Sequence, residues 1–155
     1  MKTVSLALIA VVIIVAGCEY TTPAPEVEIV RVNPLTGAVT QSMVDSFLTI
    51  EEIDFMVYNF VEAVITEFQI EYLDSDADST IAPALPPVQM HFVLAVDTAA
   101  TTLVGVPIPV TQELINYIYS ADDFANARLT FRGEDNYGHE KTFDVDMNWG
   151  IWKFD

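Results

Sequence analysis

From Glu26 onward, apolar and polar side chains alternate with a period of two, the spacing that puts one face of a β-strand against a core and the other in water. In residues 64–73, Val64, Phe68, Ile70 and Tyr72 take the even positions with Thr66 between them, while Glu67, Gln69 and Glu71 stand opposite. Met90, Phe92, Leu94 and Val96 define a second face of this kind, and Val104, Val106, Ile108 and Val110 a third. Pro107 and Pro109 fall on the other side of that third strand; having no N–H to donate to a neighbour, they place it at a sheet edge and protect that edge from pairing. Ala127, Leu129 and Phe131 alternate with Arg128, Thr130 and Arg132. After a polar loop, Phe143, Val145, Met147, Trp149 and Ile151 alternate with Asp144, Asp146 and Asn148. These two runs predict a hairpin around residues 133–140, with Gly133 and Gly138 able to take positive φ. Trp152 and Phe154 continue the apolar face one residue out of phase, so a bulge is expected at Gly150.

Two more strands are predicted at Val27–Val32 and Phe55–Phe60. Helical signal is confined to two places. Thr111 stands where it caps a short helix bearing Leu114, Ile115, Ile118 and Tyr119 on one side, and residues 42–47 predict another turn or two. About seven short strands separated by turn signals predict an all-β sandwich. Its expected core holds Phe68, Ile70, Tyr72, Phe92, Leu94, Leu129, Phe131, Val145 and Met147.

The first residues follow a different rule. Lys2 supplies a positive charge, residues 4–16 are almost wholly apolar, and Ala16-Gly17 precede Cys18, the only cysteine in the chain. The apolar run is short for a membrane span, which needs about 20 residues, and suits a cleaved leader, which needs about 7–15. Residues 15–18, Val-Ala-Gly-Cys, resemble the cleavage box of bacterial lipoproteins. The resemblance implies that residues 1–17 are a lipoprotein signal peptide, that Cys18 is diacylated on sulfur (a palmitate-type modification) and becomes the new N-terminus, and that the mature protein is held on a membrane by lipid and does not span it. Residues 18–25 then form the acylated cysteine and a tether reaching on the order of 25 Å, and residues 26–155 form one domain. Glu19 stands where an Asp signals inner-membrane retention in some bacterial lipoproteins, so the same resemblance favours the outer membrane.

Composition sharpens this picture. The chain has 6 Lys and Arg against 23 Asp and Glu, a net charge of −17. Loss of the leader removes Lys2 and makes the remainder one charge more negative. Such a balance excludes nucleic acid as a partner, because phosphate binding needs clustered cations, and it opposes contact of the domain with an anionic lipid surface. With Cys18 lipidated, neither disulfides nor thiol chemistry remain.

Two segments carry a second resemblance: Ala63 to Asp76, a strand ending in an Asp-rich turn, and Ala127 to His139, a strand entering Gly133-Glu-Asp-Asn-Tyr-Gly138. Together they resemble small bacterial lipoproteins with a single immunoglobulin or fibronectin type III-like domain. This implies an immunoglobulin-like Greek-key sandwich and a cell-envelope protein with a non-enzymatic structural, adhesive or protein-interaction role. The alternative is an accessory lipoprotein that binds a cation, a glycan or a cationic protein.

Candidate chemistry is sparse. Asp74, Asp76 and Asp78 have the alternating carboxylates that open a calcium loop, but Ser79 and Leu85 stand where such a loop needs its Gly and bidentate Glu. A looser calcium site would draw on Glu134 and Asp135. His91 and His139 lack ligand spacing for a metal, no nucleophile elbow surrounds a Ser, and phosphate-binding glycine loops are absent, so neither a catalytic residue nor a cofactor is expected beyond the lipid on Cys18. Trp149 and Trp152 face opposite sides of the last strand if it is regular and the same side if Gly150 bulges. Both are expected in the core, with an exposed aromatic platform for a glycan or protein as the alternative for one of them, and for Tyr117 and Tyr119.

Overall fold

The computed structural model of the chain describes residues 23–96 and 99–154. Eight strands follow one another: β1 (Val27–Asn33), β2 (Thr36–Val39), β3 (Ser46–Val57), β4 (Ala63–Leu73), β5 (Val88–Leu94), β6 (Thr101–Val110), β7 (Phe124–Asp135) and β8 (Thr142–Lys153). A 3₁₀ turn at Gln41–Met43 precedes β3. Helix α1 (Gln112–Tyr117), continued by a π turn over Ile118–Asp122, joins β6 to β7. Thr111 caps α1 as expected, its Oγ1 accepting the Leu114 N–H at 3.3 Å, and Leu114, Ile115 and Ile118 are buried.

The strands form two sheets, ordered β1-β3-β6 and β2-β8-β7-β4-β5. All pairings are antiparallel except β2 with β8, which is parallel. The inner faces meet in one core that holds Ile50, Ile53, Phe55, Ile65, Phe68, Ile70, Tyr72, Leu94, Val106, Ile108, Leu129, Phe131 and Trp149. Phe131 lies edge-on to Phe55 with ring centroids 5.1 Å apart, an arrangement favoured by the opposite charges of ring face and ring edge. Of the nine expected core residues, Phe68, Ile70, Tyr72, Leu94, Leu129 and Phe131 are buried, and Phe92, Val145 and Met147 are half-buried against the same cluster. The proline-bearing strand β6 is an edge strand, as its sequence requires.

Several strand phases differ from the simple alternation. In β4 the register shifts between Ile65 and Glu67, so Thr66 is an extra residue, and Ala63 and Ile65 join Phe68, Ile70 and Tyr72 in the core. Val64, expected on that face, is buried outside the main cluster. In β6, Val104 is 68% exposed: Gly105 takes φ +71°, turning the strand so that Leu103 replaces Val104 on the inner side. The facing strand β3 changes phase at the same level, from Leu48 and Ile50 to Ile53, Phe55 and Val57, and this hides its alternation. A strand therefore runs from Ser46 where residues 42–47 predicted a helical turn, and Phe60 lies beyond its end, exposed. The expected bulge at Gly150 is absent. β7 and β8 pair without a register shift from Phe124–Trp152 to Glu134–Thr142, so Ile151 stays buried while Trp152 and Phe154 point outward. Gly133 is a strand residue and not part of the turn; a side chain there would run into the Val64 carbonyl and the Phe143 ring.

Candidate functional site

The five expected carboxylates divide between opposite ends of β4. Leu73, which precedes Asp74, pairs with Asn126, whereas Ala63 pairs with Asp135. Ten strand residues at about 3.3 Å each separate the two groups by about 30 Å. Asp74 is a turn builder: its Oδ1 accepts the Asp78 N–H at 2.9 Å, and this bond, outweighing partial desolvation, holds its carboxyl below the usual range. Asn126 Nδ2 secures the same turn by donating to the Asp74 and Ser75 carbonyls at 2.8 and 3.1 Å. Asp76 and Asp78 are exposed, as is Glu134.

Asp135 has its own task. Buried at the end of β7, it accepts the Tyr137 and His139 N–H groups through Oδ1 at 2.9 and 3.2 Å and the Lys141 N–H through Oδ2 at 2.8 Å. Desolvation resists its ionisation, but those three donors, with the nearby His139 ring, prevail and keep the carboxyl ionised to lower pH than an ordinary Asp. It folds the β7–β8 loop around one anion. Among the described residues, no group of three or more His, Cys, Asp or Glu side chains is placed to hold a metal ion.

The aromatic candidates separate as a regular strand demands. Trp149 is buried and donates its Nε1–H to the Pro34 carbonyl at 2.7 Å. Trp152 is half exposed and packs on Phe124 at 4.3 Å between centroids, forming an apolar spot on the outer face of the larger sheet. Tyr119 donates to the Phe154 carbonyl at 3.0 Å, and Lys153 Nζ lies 5.4 Å from its ring centroid. The Tyr117 hydroxyl accepts the Ser75 N–H at 3.4 Å. His91 is exposed on β5, and the His139 ring lies tilted beside Tyr137 with centroids 6.3 Å apart.

Scarce cations are spent on carboxylates. Arg31 bridges Asp54 and Glu52 at 2.6 and 2.7 Å, Arg132 meets Glu67 at 2.9 Å, Arg128 meets Glu71 at 3.7 Å and Lys153 meets Asp123 at 3.0 Å. The hydrogen bond from Arg31, with that from Thr102, lowers the pKa of Asp54; those from Arg132 and Gln89 do the same for Glu67. Among the described residues, most acidic side chains have no such ion pair.

A strongly apolar concavity among the described residues was not foreseen from the sequence. Between the open margins of the two sheets lies a groove of about 270 Å³, with Phe68 and Ile70 at its base, Val88 of β5 on one wall, and Phe47, Pro107 and Pro109 on the other. Phe47 is 62% and Val88 47% exposed. The segment before β5 runs beside β4 through Ile81 N–H to the Tyr72 carbonyl and Leu85 N–H to the Ile70 carbonyl, both 2.8 Å, and its Leu85 and Pro86 complete the lining. The Ala-Pro-Ala-Leu-Pro-Pro run at 82–87 was the available signal. A shallower hollow shares Phe47 and Pro109 with this groove and is bordered by exposed Asp45 and Glu113.

Cys18 and the leader expected at residues 1–17 lie outside the described residues, and no helix among the described residues is long and apolar enough to cross a membrane. No protein-family model matches the sequence, and no curated protein matches it.

Proposed function

We propose that the chain is a lipid-anchored cell-envelope protein whose single immunoglobulin-like domain serves a non-enzymatic structural, adhesive or protein-interaction role. The observation that carries this reading is the position of the only cysteine: Cys18 ends an apolar leader, and the first strand of the domain begins a short tether later at Val27. The finer fold assignment draws support from strand order. β1-β3-β6 opposite β8-β7-β4 has the A-B-E and G-F-C arrangement of an immunoglobulin-like sandwich, with β5 at the C′ position and α1 in the E–F connection. A filled core between the sheets fits a scaffold whose outer surfaces and edges do the work.

The test is mass spectrometry of the mature N-terminus with membrane fractionation. Wild type is expected to begin at an acylated Cys18 and to sediment with the outer membrane, and Cys18→Ser to remain unprocessed. An unmodified thiol on membrane-bound wild type overturns the anchor. A second reading, an accessory lipoprotein that captures a ligand, is favoured by the half-exposed Trp152, which packs on Phe124 and offers an aromatic surface on which a sugar ring can stack.

A further inference from the structure

The two sheets have four edges, and three are defended. β6 carries Pro107 and Pro109 and the left-handed Gly105. β1 is interrupted by a register shift between Ile29 and Arg31 and bears Glu28 and Arg31, and β2 is only four residues long. Proline, charge, irregularity and brevity are the usual means of keeping an edge from recruiting another strand. β5 shares the irregularity of β1, its register against β4 shifting between Ile65 and Glu67, but its seven residues, Val88-Gln-Met-His-Phe-Val-Leu94, include neither proline nor Lys, Arg, Asp or Glu. It borders β4 on one side, and among the described residues no strand pairs with its other side.

This edge, free of proline and charge, leads into the apolar groove. Val88 belongs to both, and continuing past it in the direction of Ile70 and Tyr72 leads to Pro109, whose carbonyl accepts the Tyr72 hydroxyl. Beyond Pro109 lies the hollow bordered by Asp45 and Glu113. A pairing edge, an apolar pocket and a hollow bordered by acids therefore adjoin in succession, the first two sharing Val88 and the last two sharing Phe47 and Pro109. Strand addition uses these parts in this way: backbone hydrogen bonds supply affinity, and pockets for alternate side chains supply selectivity. Size agrees, since a cavity of about 150 Å³ already holds benzene, and the groove has room for a phenylalanine or leucine side chain.

We propose that the β5 edge and the adjoining groove form a docking site for an extended basic peptide segment of a partner protein, which adds a strand to the larger sheet and inserts one large apolar side chain between Val88 and Phe47. The charge of the occupant follows from that of the host, −17 overall with acids bordering the adjoining hollow. The same charge disfavours a second copy of this chain, since two such surfaces repel. This assignment rests on the protein-interaction reading and is independent of the lipid anchor.

The experiment titrates the full chain in neutral detergent into a fluorescein-labelled nonapeptide alternating lysine with leucine around a central phenylalanine, read by anisotropy. Exchanging that phenylalanine for alanine, or Phe47→Ala in the protein, is expected to weaken binding by about tenfold or more, and the two changes together by little more than either alone. A peptide N-methylated on alternate amides, and one with glutamate for lysine, are expected not to bind. Because the peptide variants leave the protein untouched, a folding defect in Phe47→Ala does not obscure the result. The assignment is overturned by absence of binding, by equal binding of the N-methylated peptide, by additive effects of the two truncations, or by a sedimenting dimer that the peptide fails to displace. Those outcomes leave an acylated Cys18 in place and so count against the docking site alone; a missing acyl group with intact peptide binding counts against the anchor alone.

Discussion

Gly37 and Trp149 occupy volumes that exclude each other's enlargement, and a double-mutant cycle should expose this. A Cβ added at Gly37 would stand 2.3 Å from Trp149 Cη2 and 3.1 Å from Cζ2, well inside contact distance, with a buried indole that has little freedom to retreat. Gly37→Ala is therefore an overpacking change, expected to destabilise by about 1–3 kcal/mol. Trp149→Phe acts oppositely: it loses the Nε1–H bond to the Pro34 carbonyl, worth about 1 kcal/mol net, and the burial of the larger ring, worth about 1–2 kcal/mol. The phenyl ring also vacates the space of Cη2 and Cζ2. The double variant should then be more stable than the sum of the single effects by about 1 kcal/mol or more. Urea unfolding followed by far-ultraviolet circular dichroism measures all four states at a common m-value, and each kcal/mol should appear as roughly 3–5 °C in Tm for a domain of this size. Strict additivity would refute the packing argument, as would a Gly37→Ala protein as stable as wild type.

Other consequences concern charge and the buried hydroxyl. The depressed pKa values of Asp54, Glu67, Asp74 and Asp135 stabilise the fold fully above their ordinary unfolded-state values near pH 4, and this stability is lost as pH falls through the lower folded-state values; thermal melts from pH 7 to 2 should therefore drop steeply below about pH 4, and less steeply in Asp135→Asn. Millimolar calcium should raise Tm no more than sodium chloride at matched ionic strength, because Asp74 and Asp135 are occupied by backbone donors at separate ends of β4; a calcium-specific gain abolished by Asp76→Ala would contradict this. Tyr72→Phe, which deletes the bond to the Pro109 carbonyl, should cost about 1 kcal/mol in denaturant unfolding. Burial raises the pKa of this phenol, so ultraviolet titration should find it un-ionised until the protein unfolds in alkali.

β7, with an uninterrupted period, was readable in full, whereas β4 and β6, which change phase internally, were recognised as strands with part of their phase misassigned at Val64 and Val104. β7 alternates throughout, and its inward residues Ala127, Leu129 and Phe131 were identified correctly. β3 switches from even to odd inward positions beside Gly105, so only its end, from Phe55, was read as part of a strand. Conversely, the apparent switch at Gly150 reflects two aromatic residues, Trp152 and Phe154, on the outer face, where apolarity was mistaken for burial. β2 was invisible because Thr-Gly-Ala-Val has almost no pattern, and its place depends on Gly37 allowing Trp149 to approach. The groove arises from juxtaposed margins of two sheets, and no local run of residues encodes such a meeting. Asp135 was singled out for its charge, but its role depends on a loop conformation that brings three amide groups back to it.

Parallel pairing of β2 with β8 joins Thr36 to Gly150 and Val39 to Lys153, linking opposite ends of the domain. A chain emerging from a ribosome or a translocation channel presents residues 36–39 long before residues 150–153, so this pairing waits until the intervening strands have been released. The larger sheet keeps one flank unfinished until then, and closing so long a loop makes formation of this contact slow compared with a local hairpin such as β7–β8. Truncation within β8 therefore strands β2 as well, removing two neighbouring strands from the sheet by deleting the end of one.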